Sequence, residues 1–199
     1  MTEARPLRAD AARNRELLLT AASQEFAERG FDVSIADIAR RAGIGKGTVF
    51  RHFPTKDHLI SAIVIDRVVT LTEAGEHLLD APDAGAALLR FLTTAARELR
   101  RLDPSFLTSA EDPTAEVVQT QQRLYATVHA LVDRARGQGD LRPDVTGTDV
   151  VALMCTPNHV AGCLPNASPD LWQRYLGIIF DGLRPQGAHP LPHPPPLPL

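Results

Sequence analysis

An all-α fold follows from three features of the sequence. Apolar residues recur at spacings of three and four along almost the whole chain, strand-like alternation is scarce, and capping residues punctuate the pattern. The elements follow in order. Leu17, Leu18, Ala21, Ala22 and Phe26 mark one face of a first helix over about residues 10–29, and Gly30 ends it as a C′ glycine does. Ser34 with Asp37 forms a capping box with Asp in place of Glu, opening a short second helix over 35–42. Gly43-Ile44-Gly45 is a turn, and a third short helix over 46–52 is broken by Pro54. Thr55 caps a long fourth helix carrying Leu59, Ile60, Ile63, Val64, Val68 and Leu71 to about residue 79.

The loop Asp80-Ala81-Pro82-Asp83 leads into a helix with Leu88, Leu89, Leu92, Ala95, Ala96 and Leu99, which ends before Pro104. A short piece spans Phe106 to Ala110. Asp112 and Pro113, a cap followed by proline at the first helical position, start a helix to about Arg136 that Gly137 and Gly139 stop. Thr146 and Asp149 make a second capping box for a helix to about Leu164. Ser168-Pro169 repeats the cap-plus-proline signal for a last helix to about Leu183. The tail beyond Arg184 is proline-rich and reads as a disordered, polyproline-like end.

With 199 residues, 44% of them hydrophobic and 23% charged, the chain is long enough for a buried core and too apolar for wholesale disorder. No run approaches the length of a membrane helix and no signal-peptide pattern opens the chain, so a cytoplasmic protein without a membrane partner is expected. Two cysteines are too few for a disulfide framework. The net charge of −3 is unevenly spread. Residues 1–56 hold ten Lys/Arg against seven Asp/Glu, and the rest holds eleven against seventeen, so a head of +3 precedes a body of −6. That suits a head that meets phosphates. No nucleophile–base pair, phosphate-cradling glycine loop or paired carboxylate motif points to an enzyme, and no cofactor or metal is called for.

Two short helices joined by a glycine-containing turn make a helix-turn-helix unit. Gly43 permits a positive φ, Ile44 faces inward with Ile38, Ala42, Val49 and Phe53, and small Ala39 lets the helices cross closely. Gly47, Thr48, Arg51 and His52 are left for an outward face that fits a major groove.

The stretch AASQEFAERGFDVSIADIARRAGIGKGTVFRHFPTKDHLI, residues 21–60, resembles the DNA-binding head of TetR-type transcriptional regulators. Phe26, Ala27, Gly30, Phe31, Ser34, Ile38, Ala39, Ala42, Gly43, Gly47, Thr48, His52, Phe53 and Lys56 match the family pattern in register. The resemblance implies a helix-turn-helix domain over 1–55, a ligand-binding and dimerisation body over 56–184, and a tail over 185–199. It also implies a repressor that grips a palindromic double-stranded operator as a homodimer and is released by a small-molecule effector. Lys46, Gly47, Thr48, Phe50, Arg51 and His52 would lie in or beside the groove, and Lys56 and Ser34 at phosphates. Two positions depart from the pattern. Gly45 replaces the usual Ser cap of the recognition helix, and Phe50 replaces a Tyr, removing a hydroxyl donor. Phe50 reads either as a thymine-methyl contact or as plain packing. Arg5, Arg8 and Arg13 read as a phosphate-seeking arm or as an idle end.

In the body, GQGDLRPDVTGTDVVALM, residues 137–154, resembles the entry to the penultimate helix of the same family. The apolar residues of the last helix point in nearly every direction, so burial on both sides by a second copy is expected. The interface set is Val150, Met154, Leu171, Trp172, Tyr175, Leu176, Ile179, Phe180 and Leu183. Phe91, Phe106, Leu107, Tyr125, Val128, Met154 and His159 are candidates for an apolar effector cavity, with ordinary core as the alternative for each. The acidic balance of the body, with Glu98, Glu111, Asp112 and Glu116, favours neutral or cationic ligands. Cys155, His159 and Cys163, spaced by four, suit a metal or thiol sensor, but Pro157 interrupts the helix they would need. A dimer controlled by protein contacts, with no effector, is the other reading.

Overall fold

The computed structural model describes residues 4–30, 32–100, 114–166, 168–186 and 188–197, with the side chains of residues 4–9 left out. Phe31, Phe106, Leu107, the short piece 106–110 and the Asp112–Pro113 start lie outside the described residues, as do the side chains of Arg5 and Arg8. Among the described residues there are nine helices and no strand. They are α1 (Ala4–Arg29), α2 (Ile35–Ala42), α3 (Lys46–His52), α4 (Lys56–Glu76), α5 (Ala84–Leu99), α6 (Ala115–Gly137), α7 (Gly147–Leu153), α8 (Thr156–Gly162) and α9 (Leu171–Gly182). The chain divides into two units, one reaching Asp66 and the other starting at Arg67, so α4 contributes residues to both.

In the first unit α2 packs on α1 and α3. Leu18, Ala22 and Phe26 of α1 meet Ile38, Ala39, Val49, Phe53, Leu59 and Ile63 in a core from which water is excluded. Leu17, expected on the buried face of α1, is 45% exposed; Leu19 is buried instead. The apolar stripe of a helix turns by about 100° per residue, and Leu17 falls just outside it. Helix α1 also begins at Ala4, about six residues before the start expected near residue 10. Glu25 is buried between two guanidinium groups, Arg29 of its own helix at 3.1 Å and Arg41 at 3.2 Å, and the second pair ties α1 to α2. The glycine caps act as expected, and Ser34 forms one half of its capping box. Gly30 and Gly43 take left-handed φ of 70° and 67°, and the Ser34 hydroxyl accepts from the Asp37 N–H at 3.2 Å.

The second unit is built around α5, which packs on α6, α8 and α9, while α6 packs on α7. Its core holds Leu88, Phe91, Leu92, Ala95, Val128, Leu131, Trp172 and Phe180. Gly75 lets α4 come close: a Cβ there would lie 2.7 Å from Thr127 Cγ2 and 3.1 Å from Phe91 Cε2. Helix α4 stops at Glu76, short of residue 79. Its end tightens into i→i−3 bonds, Leu78 N–H to Gly75 O and Leu79 N–H to Glu76 O. Arg134 donates to the carbonyls of Leu78 and Ala81 just beyond.

The penultimate helix differs most from expectation. In place of one helix from 147 to 164 there are two, α7 and α8, parted at Met154–Cys155. Pro157 has no N–H to give residue 153 and its ring would meet that carbonyl, whereas in the first turn of a new helix it is harmless. The last helix is not capped by Ser168. Asp170 stands at its N-cap without a side-chain bond, and Ser168 Oγ accepts the Asp170 N–H one turn earlier. The described part of the tail is exposed, but its backbone is held: the His189 carbonyl accepts from Arg142, and the Leu191 N–H donates to Asp144.

Candidate nucleic-acid interface

The seven residues of α3 divide by face. Val49 within α3 and Phe53 at its C-cap, one turn apart, are buried, and α3 packs on α2. That leaves Lys46, Gly47, Phe50 and Arg51 exposed and Thr48 and His52 half-buried on the outer side. Phe50, an aromatic ring, is 50% exposed, so it does not serve the core. Neither Gly45 nor Gly47 has a protein atom within 4 Å of where a Cβ would stand, and neither has a positive φ. The fold therefore makes no demand for glycine at either position.

The phosphate candidates are already engaged within the protein. Lys56 Nζ lies 5.6 Å from the centre of the Phe26 ring, an arrangement that steadies the ammonium beside the first helix. The Ser34 hydroxyl donates to Asp37 Oδ2 at 2.7 Å. That bond, followed by the one from Arg40, holds the Asp37 carboxyl below its usual range. Ser34 thus gives its proton to a carboxylate, leaving backbone N–H groups as the donors for any anion there. Arg13, the one arm residue whose side chain is described, is exposed.

In the second unit the described members of the expected cavity set differ in burial. Phe91 and Val128 are fully buried core, Met154 is buried, Tyr125 is half-buried and His159 is exposed. Two cavities are described, of about 410 and 260 Å³, and neither is lined by any of these five. The expected interface set also divides. Val150, Met154, Trp172, Leu176, Phe180 and Leu183 are buried within their own chain, while Leu171, Tyr175 and Ile179 are half-buried. Ile178 is 55% exposed and Leu164 44% exposed, and neither was in the set. Buried faces were read by spacing alone, which cannot tell a protomer's own core from a partner's. Cys155, His159 and Cys163 stay spaced by four along α8 and its ends. Even so, among the described residues no group of three His, Cys, Asp or Glu is arranged to hold a metal. Burial raises the Cys155 thiol above its ordinary value, which works against thiolate chemistry.

Comparison with known proteins places this geometry. A model of the TetR family of bacterial regulatory proteins matches residues 18–63, and one of the C-terminal domain of SbtR-like transcriptional regulators matches residues 80–185. The chain belongs to the TetR family. A TetR transcription regulatory protein from Mycobacterium vanbaalenii is 35% identical, with 90% of this chain and 99% of that one covered and a TM-score of 0.65. The TetR transcriptional regulator SCO0520 from Streptomyces coelicolor is 28% identical over 87% of this chain and 99% of that one, with a TM-score of 0.64. The HTH-type transcriptional repressor Rv3405c from Mycobacterium tuberculosis is 52% identical over 48 residues, 24% of this chain. The chain thus matches only 26% of the length of that curated relative. As a TetR-family transcriptional regulator the protein is not an enzyme. None of its described helices is long and apolar enough to cross a membrane. The helix-turn-helix of α2 and α3 lies wholly inside the N-terminal match.

Proposed function

We propose that this TetR-family regulator is a cytoplasmic repressor that binds a palindromic operator as a homodimer and lets go when a small molecule occupies its second unit. The observation that supports DNA reading is the division of α3. Val49 and Phe53 hold the helix, and no other side chain from Lys46 to His52 is fully buried. Arg51 is the base reader in this proposal, Lys46 and Lys56 meet phosphates, and the Phe50 ring touches a thymine methyl. Two copies reading two half-sites account for palindromy. The outward residues of α9, Leu171, Tyr175, Ile178 and Ile179, are the second copy's seat. Release needs an effector with different affinities for two dimer shapes, since a ligand that binds both equally shifts nothing.

The test begins by recovering the DNA retained by the purified protein. Arg51→Ala is expected to cost about 1–3 kcal/mol and relax preference at one base position. Lys56→Ala weakens all DNA alike and flattens the salt dependence. Equal binding of operator and random DNA by both variants, indistinguishable from the parent protein, refutes the roles. Ile178→Glu puts a charge in the seat of the second copy, so sedimentation should report monomer; an unchanged dimer refutes that interface.

A further inference from the structure

The cavity of about 410 Å³ lies between the end of α5, helix α8 and the turn into α9, and no residue singled out in the sequence as effector-binding lines it. Its volume is in the range of small-molecule sites. Trp172, Leu164 and Pro169 give it apolar wall. Arg100 stands at its rim, anchored by a hydrogen bond from Nη1 to the Pro169 carbonyl, and among the described lining residues there is no carboxylate side chain. The described lining thus carries one positive charge within a body whose overall balance is negative, and local charge decides which ligand enters.

Asn158 supplies the second mark. Its Nδ2 donates to the Ala96 carbonyl at 2.7 Å, which identifies the other end of the amide as oxygen. That Oδ1 is buried and accepts no hydrogen bond. A buried acceptor without a donor is a standing cost, and such groups are rare in folded proteins. Asn158 lines the cavity, and its Oδ1 is the acceptor left for a donor brought there. The other end of that amide bridges α8 to α5, so a ligand here bears on the α5–α8 junction.

We infer that this cavity takes a small organic acid: an apolar body against Trp172 and Leu164, a carboxylate at Arg100, and an adjacent N–H or O–H for Asn158 Oδ1. The inference rests on the regulator reading only for its consequence, operator release; binding itself is independent of DNA.

Titration calorimetry on the full-length, DNA-free protein tests it with three probes. They are N-acetyl-phenylalanine, its methyl ester, which lacks the charge, and 3-phenylpropanoate, which lacks the N–H. The acid is expected to bind saturably, with the ester and the phenylpropanoate each weaker by about tenfold. Arg100→Gln should erase the preference for acid over ester, and Asn158→Leu the preference for N-acetyl-phenylalanine over phenylpropanoate. Arg100 is exposed, so its variant carries the test if Asn158→Leu does not fold. No saturable binding of the acid at millimolar concentration, or equal affinity for acid and ester, overturns the site. Operator release by the acid is measured separately by fluorescence anisotropy. Failure to bind DNA at all would strike the regulator reading and leave the calorimetric result standing.

Discussion

Gly47 separates what the fold needs from what the DNA needs. It sits in α3 with an ordinary negative φ, and a Cβ there would meet no atom of the protein within 4 Å. Glycine within a helix costs about 0.5–1 kcal/mol relative to alanine, through the freedom it gives the unfolded chain. Gly47→Ala should therefore stabilise the protein by up to that amount, a rise in Tm of about 1–4 °C at this chain length. In the DNA complex the same methyl would stand between the α3 backbone and the groove floor or flanking phosphates. A close approach of backbone to DNA then loses about tenfold or more in affinity. The assays are thermal unfolding and fluorescence anisotropy on the selected operator across a range of salt. A variant that is more stable but binds DNA as tightly as before refutes close approach at this position. A variant that is less stable refutes the packing argument beneath it.

Gly75 is the opposite case. Gly75→Ala drives a Cβ to within 2.7 Å of Thr127 Cγ2 and 3.1 Å of Phe91 Cε2, so it should cost about 1–3 kcal/mol in denaturant unfolding. No loss would mean that α4 is not pressed against Phe91. Cys155 tests burial by pH. Its thiol is raised above the ordinary 9.0 by desolvation, which disfavours the charged thiolate. In a Cys163→Ala background its alkylation by iodoacetamide should be slow at pH 8 and still rising beyond pH 9, followed by mass spectrometry. A rate that levels off below pH 9 contradicts the burial.

The head could be read almost to the residue because its signals are local. A cap, a left-handed glycine and an apolar pair one turn apart each act within a few residues of themselves. So α2 and α3 end where Ser34, Gly43 and Pro54 say. The body resisted because its decisive contacts join residues far apart in sequence. Nothing near Gly75 announces Thr127 and Phe91, and nothing near Asn158 announces Ala96, 62 positions away. One local signal in the body does bear on the fold, Pro157. Its presence argued against the metal reading of Cys155 and His159, and the same clash should have divided the penultimate helix. The interface set joins two faces of α9 because Trp172, Leu176 and Phe180 are as apolar as Leu171, Tyr175 and Ile179. Only packing tells which face the protomer covers itself.

The segment Gly137–Asp149, where the body most resembles the family, has a structural rather than a recognition role. Gln138 Oε1 and Asp140 Oδ2 accept the N–H groups of Ala84 and Gly85, so this turn caps the start of α5 together with Asp83. The Arg142 N–H donates to the Leu183 carbonyl at the end of α9. The Arg142 side chain forks onto Asp144 at 2.6 and 2.8 Å, and that bond leads the effects that lower the Asp144 carboxyl below its ordinary value. Thr146 and Asp149 then close the capping box of α7, and His129 lies where any side chain on Gly147 would stand. Thirteen residues thus serve the ends of three helices and hold the tail. Their pattern persists for geometric reasons, since each group satisfies an otherwise unpaired helix end. Substitutions here should lower stability while leaving operator preference and ligand selectivity unchanged. The Asp144 contribution, present at neutral pH, should fade as pH falls below about 4 toward its depressed folded value.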